Sequence, residues 1–244
     1  MRRTAAIVGA VLGLTVGLAV ASPLPLQGRD INGKPVGATD ASAVFEYDPN
    51  LNLTWLRDWN YAATSSYANA LPSGEMDWNA ARIWTSSLTV GGFSGWTLPS
   101  ITDTGTPGCN FGYVGTDCGY NVYGYGTNSP GAATLSPMAY LWYVELGNKA
   151  LYDASGNLVS DWGLKNTGPF TNMQADYYWS GTEYSPDLAW YFNTEYGGRS
   201  DNVLKSNVMF AVAVRSGDVP EPGTMALLSL SLAALCLVNR RRPV

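Results

Sequence analysis

The sequence predicts an α+β domain in which two helices flank small antiparallel sheets and long irregular loops carry much of the chain. Three observations predict it. Apolar residues recur at helical spacing between Asp77 and Leu88, and a second, capped apolar run lies between Pro137 and Leu146. Short aromatic and β-branched runs bounded by turn residues crowd the end of the body. Residues 102–134 show neither period and are rich in Gly, Tyr, Asn and Thr.

Taken in order, Val44-Phe45-Glu46-Tyr47 and Leu53-Thr54-Trp55-Leu56 read as two strands joined by the turn residues Asp48-Pro49-Asn50, a hairpin. Asp77 is placed to cap a helix over 77–88, with Trp78, Ala81, Thr85 and Leu88 on one face and Trp84 beside them. Gly91, Gly92 and Gly95 then break the chain before Trp96-Thr97-Leu98-Pro99. The long segment 102–134 is expected as an ordered loop, the kind that often carries function. Ser136 suits an N-cap, Pro137 the first helical position and Gly147 the left-handed stop of a second helix over 137–146. That helix is apolar almost all round and is expected to be deeply buried. Asp153 to Asn157 is a turn. Tyr177–Thr182, Leu188–Asn193 and Val208–Val214 read as strands, with Gly197-Gly198 as a turn. Trp55, Trp96, Trp179 and Trp190 are expected in the core with their N–H groups paired. Glu183 and Arg215 are expected to form an ion pair.

The two ends read differently from the body. Arg2 and Arg3 precede an apolar stretch from Ala5 to Val20, and Ala19-Val20-Ala21 fits cleavage between Ala21 and Ser22. Residues 1–21 are therefore expected as a signal peptide and 22–42 as a linker or arm before a domain over 43–218. At the other end Val219-Pro220-Glu221-Pro222-Gly223 leads into an apolar run from Met225 to Val238, then Arg240, Arg241 and Arg242. The run is expected as a short transmembrane segment, 224–238, stopped by the three arginines on the cytoplasmic side, so that residues 219–244 form a removable tail.

Both ends together hold five of the 14 basic residues and one of the 19 acidic ones. The remaining 9 and 18 give the mature part a net charge of −9. Such a surface repels nucleic acid and anionic lipid, so no nucleic-acid partner is expected, and strongly anionic glycans are disfavoured. Cys236 leaves with the tail. Cys109 and Cys118, nine apart, read as a disulfide in an exported chain. A zinc site is disfavoured because the chain has no histidine. The same lack removes Ser-His and Cys-His dyads, and no phosphate loop or dinucleotide fingerprint is present. No enzyme is expected.

The tail, with its motif Pro220, Glu221 and Pro222, resembles the PEP-CTERM sorting signal. That resemblance implies an exosortase-type processing enzyme as partner, a transient inner-membrane intermediate, and a final place at the cell surface or in the exopolysaccharide matrix of a Gram-negative-type bacterium. The body carries Leu53-Thr54-Trp55-Leu56-Arg57-Asp58, Asp77-Trp78-Asn79-Ala80-Ala81, Gly95-Trp96-Thr97-Leu98-Pro99-Ser100 and Tyr178-Trp179-Ser180-Gly181-Thr182-Glu183 in that order. These resemble the Lcl C-terminal-type domain of unknown function. The resemblance implies a C-type-lectin-like fold and an adhesive activity toward glycans. The Glu-Pro-Asn, Gln-Pro-Asp and Trp-Asn-Asp motifs of calcium-dependent sugar-binding lectins are absent, so no cofactor is expected, although carboxylates in the region can in principle hold Ca²⁺.

The candidate ligand-binding residues are Glu183, Asp187, Asn193, Glu195, Tyr196, Arg199 and Asp201, a set of carboxylates, amides and aromatics suited to stacking on a sugar and bonding its hydroxyls, or simply a polar solvated loop. Tyr113, Tyr120, Tyr123 and Tyr125 form a second candidate surface, with loop self-packing as the alternative. The expected function is that of an exported, non-enzymatic glycan-binding or matrix-binding protein. A structural, self-associating matrix protein and a secreted carboxylate-dependent hydrolase are the alternatives.

Overall fold

The structure, a computed structural model, describes residues 24–105, 109–115, 117–123 and 136–220. The signal peptide with its Ala21–Ser22 bond, Tyr125, Glu221, Pro222, the apolar run and Arg240–Arg242 lie outside the described residues. Two antiparallel sheets organise the described residues. The first contains β1 (Gln27–Arg29), β2 (Pro35–Val36), β3 (Phe45–Asp48), β4 (Leu53–Leu56) and β9 (Val214–Ser216) in the order β2-β1-β3-β4-β9. The second contains β5 (Gly119–Tyr120), β6 (Tyr177–Glu183), β7 (Leu188–Asn193) and β8 (Gly198–Leu204) in the order β5-β8-β7-β6. With only short helices added, the architecture is α+β.

The β3–β4 hairpin forms where the sequence places it, with Phe45 opposite Leu56 and Asp48 opposite Leu53. The Asp48 carboxylate accepts the backbone N–H groups of Asn50 and Leu51 and closes the turn. Residues 22–42, expected as a linker or arm, supply β1 and β2, because β1 pairs along β3 and extends the sheet. A one-turn helix α1 (Tyr61–Thr64) follows β4. Helix α2 (Trp78–Ser87) is capped by Asp77, whose carboxylate accepts Ala80 N–H, and it buries Trp78, Ala81, Trp84 and Thr85.

The second expected helix begins at Pro137 under a Ser136 cap as α3 (Pro137–Tyr140). It then loosens into a π-helical turn over Leu141–Glu145 before Gly147 stops it at φ +67°. Its first six residues, Pro137 to Trp142, are buried, whereas Tyr143, Val144 and Glu145 are half-buried. Expected as uniformly deep, the helix is so only in its first half. The strand expected over 208–214 is also shorter. Met209 and Phe210 make single bridges to Met76 and Tyr178, and a continuous ladder starts only at Val214. Met76 belongs to neither sheet, and Phe210 exchanges backbone hydrogen bonds with Tyr177 and Trp179 of β6.

The second sheet is buried on both faces at the centre of β6. In β6 the adjacent residues Tyr178 and Trp179 point opposite ways, and neither is accessible. Trp179 joins Trp78, Trp84, Trp96 and Phe45 in one core under α2. Tyr178 joins Trp55, Trp59, Trp142 and Phe192 in the other. The expected tryptophans are indeed buried, and Trp96 and Trp179 donate to the carbonyls of Phe93 and Met76 at 2.8 and 2.9 Å. Trp190 is buried beside Ile101 and Cys118, but its N–H finds no partner among the described residues. Glu183 and Arg215 do not pair. Glu183 binds Lys205 at 2.9 Å, whose ammonium lies over the Trp78 ring, while Arg215 donates to the Asp218 carbonyl.

Candidate functional site

The region that holds the candidates, 182–202, is mostly sheet, with the expected strand at Leu188–Asn193 and an unexpected one at Gly198–Leu204. Asn193 ends β7, Arg199 and Asp201 lie in β8, and only Asp187, Glu195 and Tyr196 sit in turns. The strand β8 was hidden because its buried side chains are Arg199, Ser200 and Asp201, which carry no hydrophobic alternation. Its register is set from outside, by Tyr191 opposite Ser200 and Phe192 opposite Arg199.

This register sorts the candidates by face. Phe192, Arg199 and Asp201 point inward, where Asp201 sits near Asp103 and Asp117. Burial raises the Asp201 carboxyl above its ordinary value, and those two carboxylates add to the shift. Arg199 is 2 % exposed, and none of its three guanidinium nitrogens has a hydrogen-bond partner among the described residues. Burial lowers its pKa to about 10, with the Asp117 carboxylate opposing. Glu183 and Asp187 stand at the far end of the sheet, where Glu183 pairs with Lys205 and the Asp187 carbonyl accepts Lys205 N–H. They are not brought together with the others.

The opposite face of β7 and β8 is different. At one end it is covered by the α2 core. At the other it is open, and there Tyr177, Tyr191, Asn193, Ser200 and Asn202 line a depression with Tyr120 of β5 and Tyr196 of the following turn. A second depression shares Tyr177, Tyr191 and Asn202 and continues past Val203 to Asn207. The two make one groove. Tyr177 and Tyr191 meet edge to face at 5.2 Å, and Tyr177 remains 37 % exposed. Among the described residues no carboxylate lines either depression, and Arg199, whose side chain points to the opposite face, is the one charged residue along them.

The polar groups of the groove are pre-set. Asn193 Oδ1 accepts Tyr196 N–H at 2.9 Å, which fixes the amide, while its Nδ2 is buried with no partner among the described residues. Ser200 Oγ donates to Asn202 Oδ1 at 3.0 Å. Burial raises the Tyr191 hydroxyl above its ordinary value, and the hydrogen bond with Ser200 opposes this. Tyr120 is raised by burial and then by Tyr152. Tyr196 is raised by its hydrogen bond with Glu195, and its ring stacks on Trp162 at 5.7 Å. These phenols are neutral donors and acceptors at any ordinary pH.

The long loop meets this surface only in part. Cys109 and Cys118 form the expected disulfide, and β5 beyond it pairs with β8, which brings Phe111, Gly119 and Tyr120 to the groove. Tyr113 packs on Tyr152 at 5.1 Å and Tyr123 on Tyr143 at 4.9 Å, so these two pack the loop onto the body. Thus Asn193 and Tyr196 of the expected set line the groove, Arg199 borders it while its side chain points to the opposite face, and Glu195 supports Tyr196. Tyr177, Tyr191, Ser200 and Asn202 were missed, although a period-two reading of Tyr191/Asn193 would have put those two on one face. Among the described residues no group of three or more acidic or thiol side chains is placed to hold a metal ion.

At the other end of the molecule the last described residues are fixed to the body. Val219 is 2 % exposed in the α2 core, and Pro220 follows it into a shallow depression lined by Asn32, Gly92, Phe93 and Arg215. No helix among the described residues is long and apolar enough to cross a membrane. No curated protein and no solved structure matches the chain. Residues 218–242 match the PEP-CTERM protein-sorting motif, which marks the chain as an exported protein, processed by an exosortase and anchored transiently in the membrane through this tail.

Proposed function

We propose that the body is a non-enzymatic binding module of C-type-lectin-like type, related to the Lcl C-terminal domain, that holds a neutral glycan of the exopolysaccharide matrix in the Tyr177–Asn202 groove. The carrying observation is the composition of that groove. Exposed and half-buried tyrosine rings stand beside an Asn193 amide whose N–H₂ group is buried and unpartnered among the described residues. Aromatic faces cover the apolar side of a sugar ring, and amides and hydroxyls take its hydroxyl groups. The lack of carboxylates in the groove lining among the described residues favours binding over glycoside cleavage, which needs a carboxyl pair flanking the scissile bond. It also makes calcium unnecessary for this mode of binding. The sorting tail supports a place for the mature protein at the cell surface or in the matrix.

A glycan array probed with residues 22–219, with and without EDTA, tests the reading. Selective, saturable binding that EDTA leaves unchanged is expected. Tyr177→Ala and Asn202→Ala should each weaken it about tenfold, the loss of roughly 1.4 kcal/mol, without changing the thermal midpoint. A blank array with concentration-dependent self-association in sedimentation would overturn it in favour of a structural matrix protein. Turnover of a polysaccharide would overturn it in favour of a hydrolase.

A further inference from the structure

The join between the domain and its tail has no slack. Asp218 is gripped by Arg29, which reaches it with Nε at 3.0 Å and Nη2 at 2.6 Å. The Asp218 carbonyl accepts Arg215 Nη1 at 3.0 Å. Gly217 N–H donates to Asn52 O at 2.8 Å, and its carbonyl accepts Thr54 Oγ1 at 2.7 Å. Val219 is a core residue, and the sorting motif starts at the next position. Only residues 220–224 separate Val219 from the apolar run at Met225. Fully extended, those six Cα–Cα steps reach about 20 Å.

The apolar run shortens this further. Fourteen residues from Met225 to Val238 wound as a helix would span about 21 Å, against a hydrocarbon core of about 30 Å. A span that short draws its flanks into the headgroup layer. The end of the domain at Val219 is therefore tethered within about 20 Å of the apolar run while the tail is inserted.

What the domain presents there suits such a surface. The exit is bordered by the turn at 30–34, with Ile31 at 42 % exposed and Asn32 and Lys34 also exposed, and by the turn at 91–95. The two turns are locked together. A Cβ on Gly91 would lie 2.0 Å from the Ile31 carbonyl oxygen, so the contact admits only glycine. Of the two carboxylates near the exit, Asp30 caps Asn32 and Lys34 N–H at 2.9 Å each, and Asp218 is paired with Arg29. Lys34 and Arg215 supply positive charge on a body that is otherwise acidic.

We infer that in the anchored intermediate the domain stands on the membrane with this end down, the 30–34 and 91–95 turns facing the lipid headgroups. The inference rests on the reading of the tail as a temporary anchor and is independent of the glycan groove. The processing enzyme, itself in that membrane, then meets a motif whose first residue, Pro220, lies against the folded domain.

The test uses the full chain with Cys236→Ser and Ser94→Cys, labelled with bimane at residue 94 and reconstituted into phosphatidylcholine vesicles carrying a headgroup nitroxide. Strong quenching is expected. Insertion of a twenty-residue Gly/Ser linker between Val219 and Pro220 should reduce it at least threefold. Equal quenching with and without the linker, or none in the unextended chain that floats with the vesicles, would overturn the orientation. Failure of the unextended chain to float would instead remove the anchor on which the orientation depends.

Discussion

Raising the pH from 4.5 to 8.5 should lower the unfolding free energy of the domain by several kcal/mol, and Glu46→Gln should remove a large share of that loss. Glu46 is inaccessible in β3, and neither of its carboxyl oxygens has a hydrogen-bond partner among the described residues. The nearest cation, Arg57 Nε, is 3.8 Å away. Burial pushes the carboxyl up to about 8, with Arg57 and then Arg29 opposing. Glu145 is likewise pushed up to about 8, by burial and then by the neighbouring Asp48 carboxylate, and Asp48 is itself raised by burial.

The sign follows from proton counts. Between the unfolded value near 4.5 and the folded value near 8, the native state holds protons that the unfolded chain has released, so stability falls as pH rises. It is fully present below about pH 4.5 and lost by about pH 8. For Glu46 alone the loss is on the order of 4 kcal/mol at about 1.4 kcal/mol per pH unit. At the acid end the lowered carboxyls of Asp40, Asp153 and Asp161 act in the opposite sense, so the optimum lies near pH 4–5. Urea midpoints measured across this range check the prediction. A flat profile between pH 5 and 8, or a Glu46→Gln variant no more stable than the parent at pH 8, contradicts it.

The second large effect belongs to Trp179. It is inaccessible, fills the core between α2 and the second sheet, and donates to the Met76 carbonyl. Trp179→Ala should cost about 4 kcal/mol from lost burial, the remaining cavity and an orphaned carbonyl. Trp179→Phe keeps most of the volume and should cost roughly half as much. Against a typical total of about 5–15 kcal/mol, the alanine variant should be unfolded or nearly so at 37 °C. Leu158→Ala, at a position 70 % exposed, should leave the urea midpoint unchanged and serves as the control.

Elements whose side chains follow a hydrophobic period were legible in the sequence. Helix α2 was, because its cap and its buried stripe agree, and so were β4 and β7, which match the expected bounds. Elements specified by their partners were not. Strand β1 is Gln-Gly-Arg and β8 is Gly-Arg-Ser-Asp-Asn-Val-Leu, and both are held as strands by neighbours that the sequence does not reveal. The π-helical turn at Leu141–Glu145 likewise leaves no signature in a run that reads as ordinary helix. The site inherits this division. Polar turn residues such as Tyr196 were visible as candidates. Tyr177 and Tyr191 were read only as strand residues, because their importance depends on which end of one sheet face stays uncovered.

The grip of Arg29 on Asp218 ties together positions 189 apart, near the two limits of the described chain. A chain passing through a membrane from its N-terminus delivers Arg29 early and Asp218 almost last. The five-stranded sheet therefore stays open at β9, and its two-ended closure waits until the sorting motif itself is about to cross. Such an arrangement keeps the polypeptide threadable for as long as threading is required. Completion of the fold and insertion of the anchor then become nearly simultaneous events.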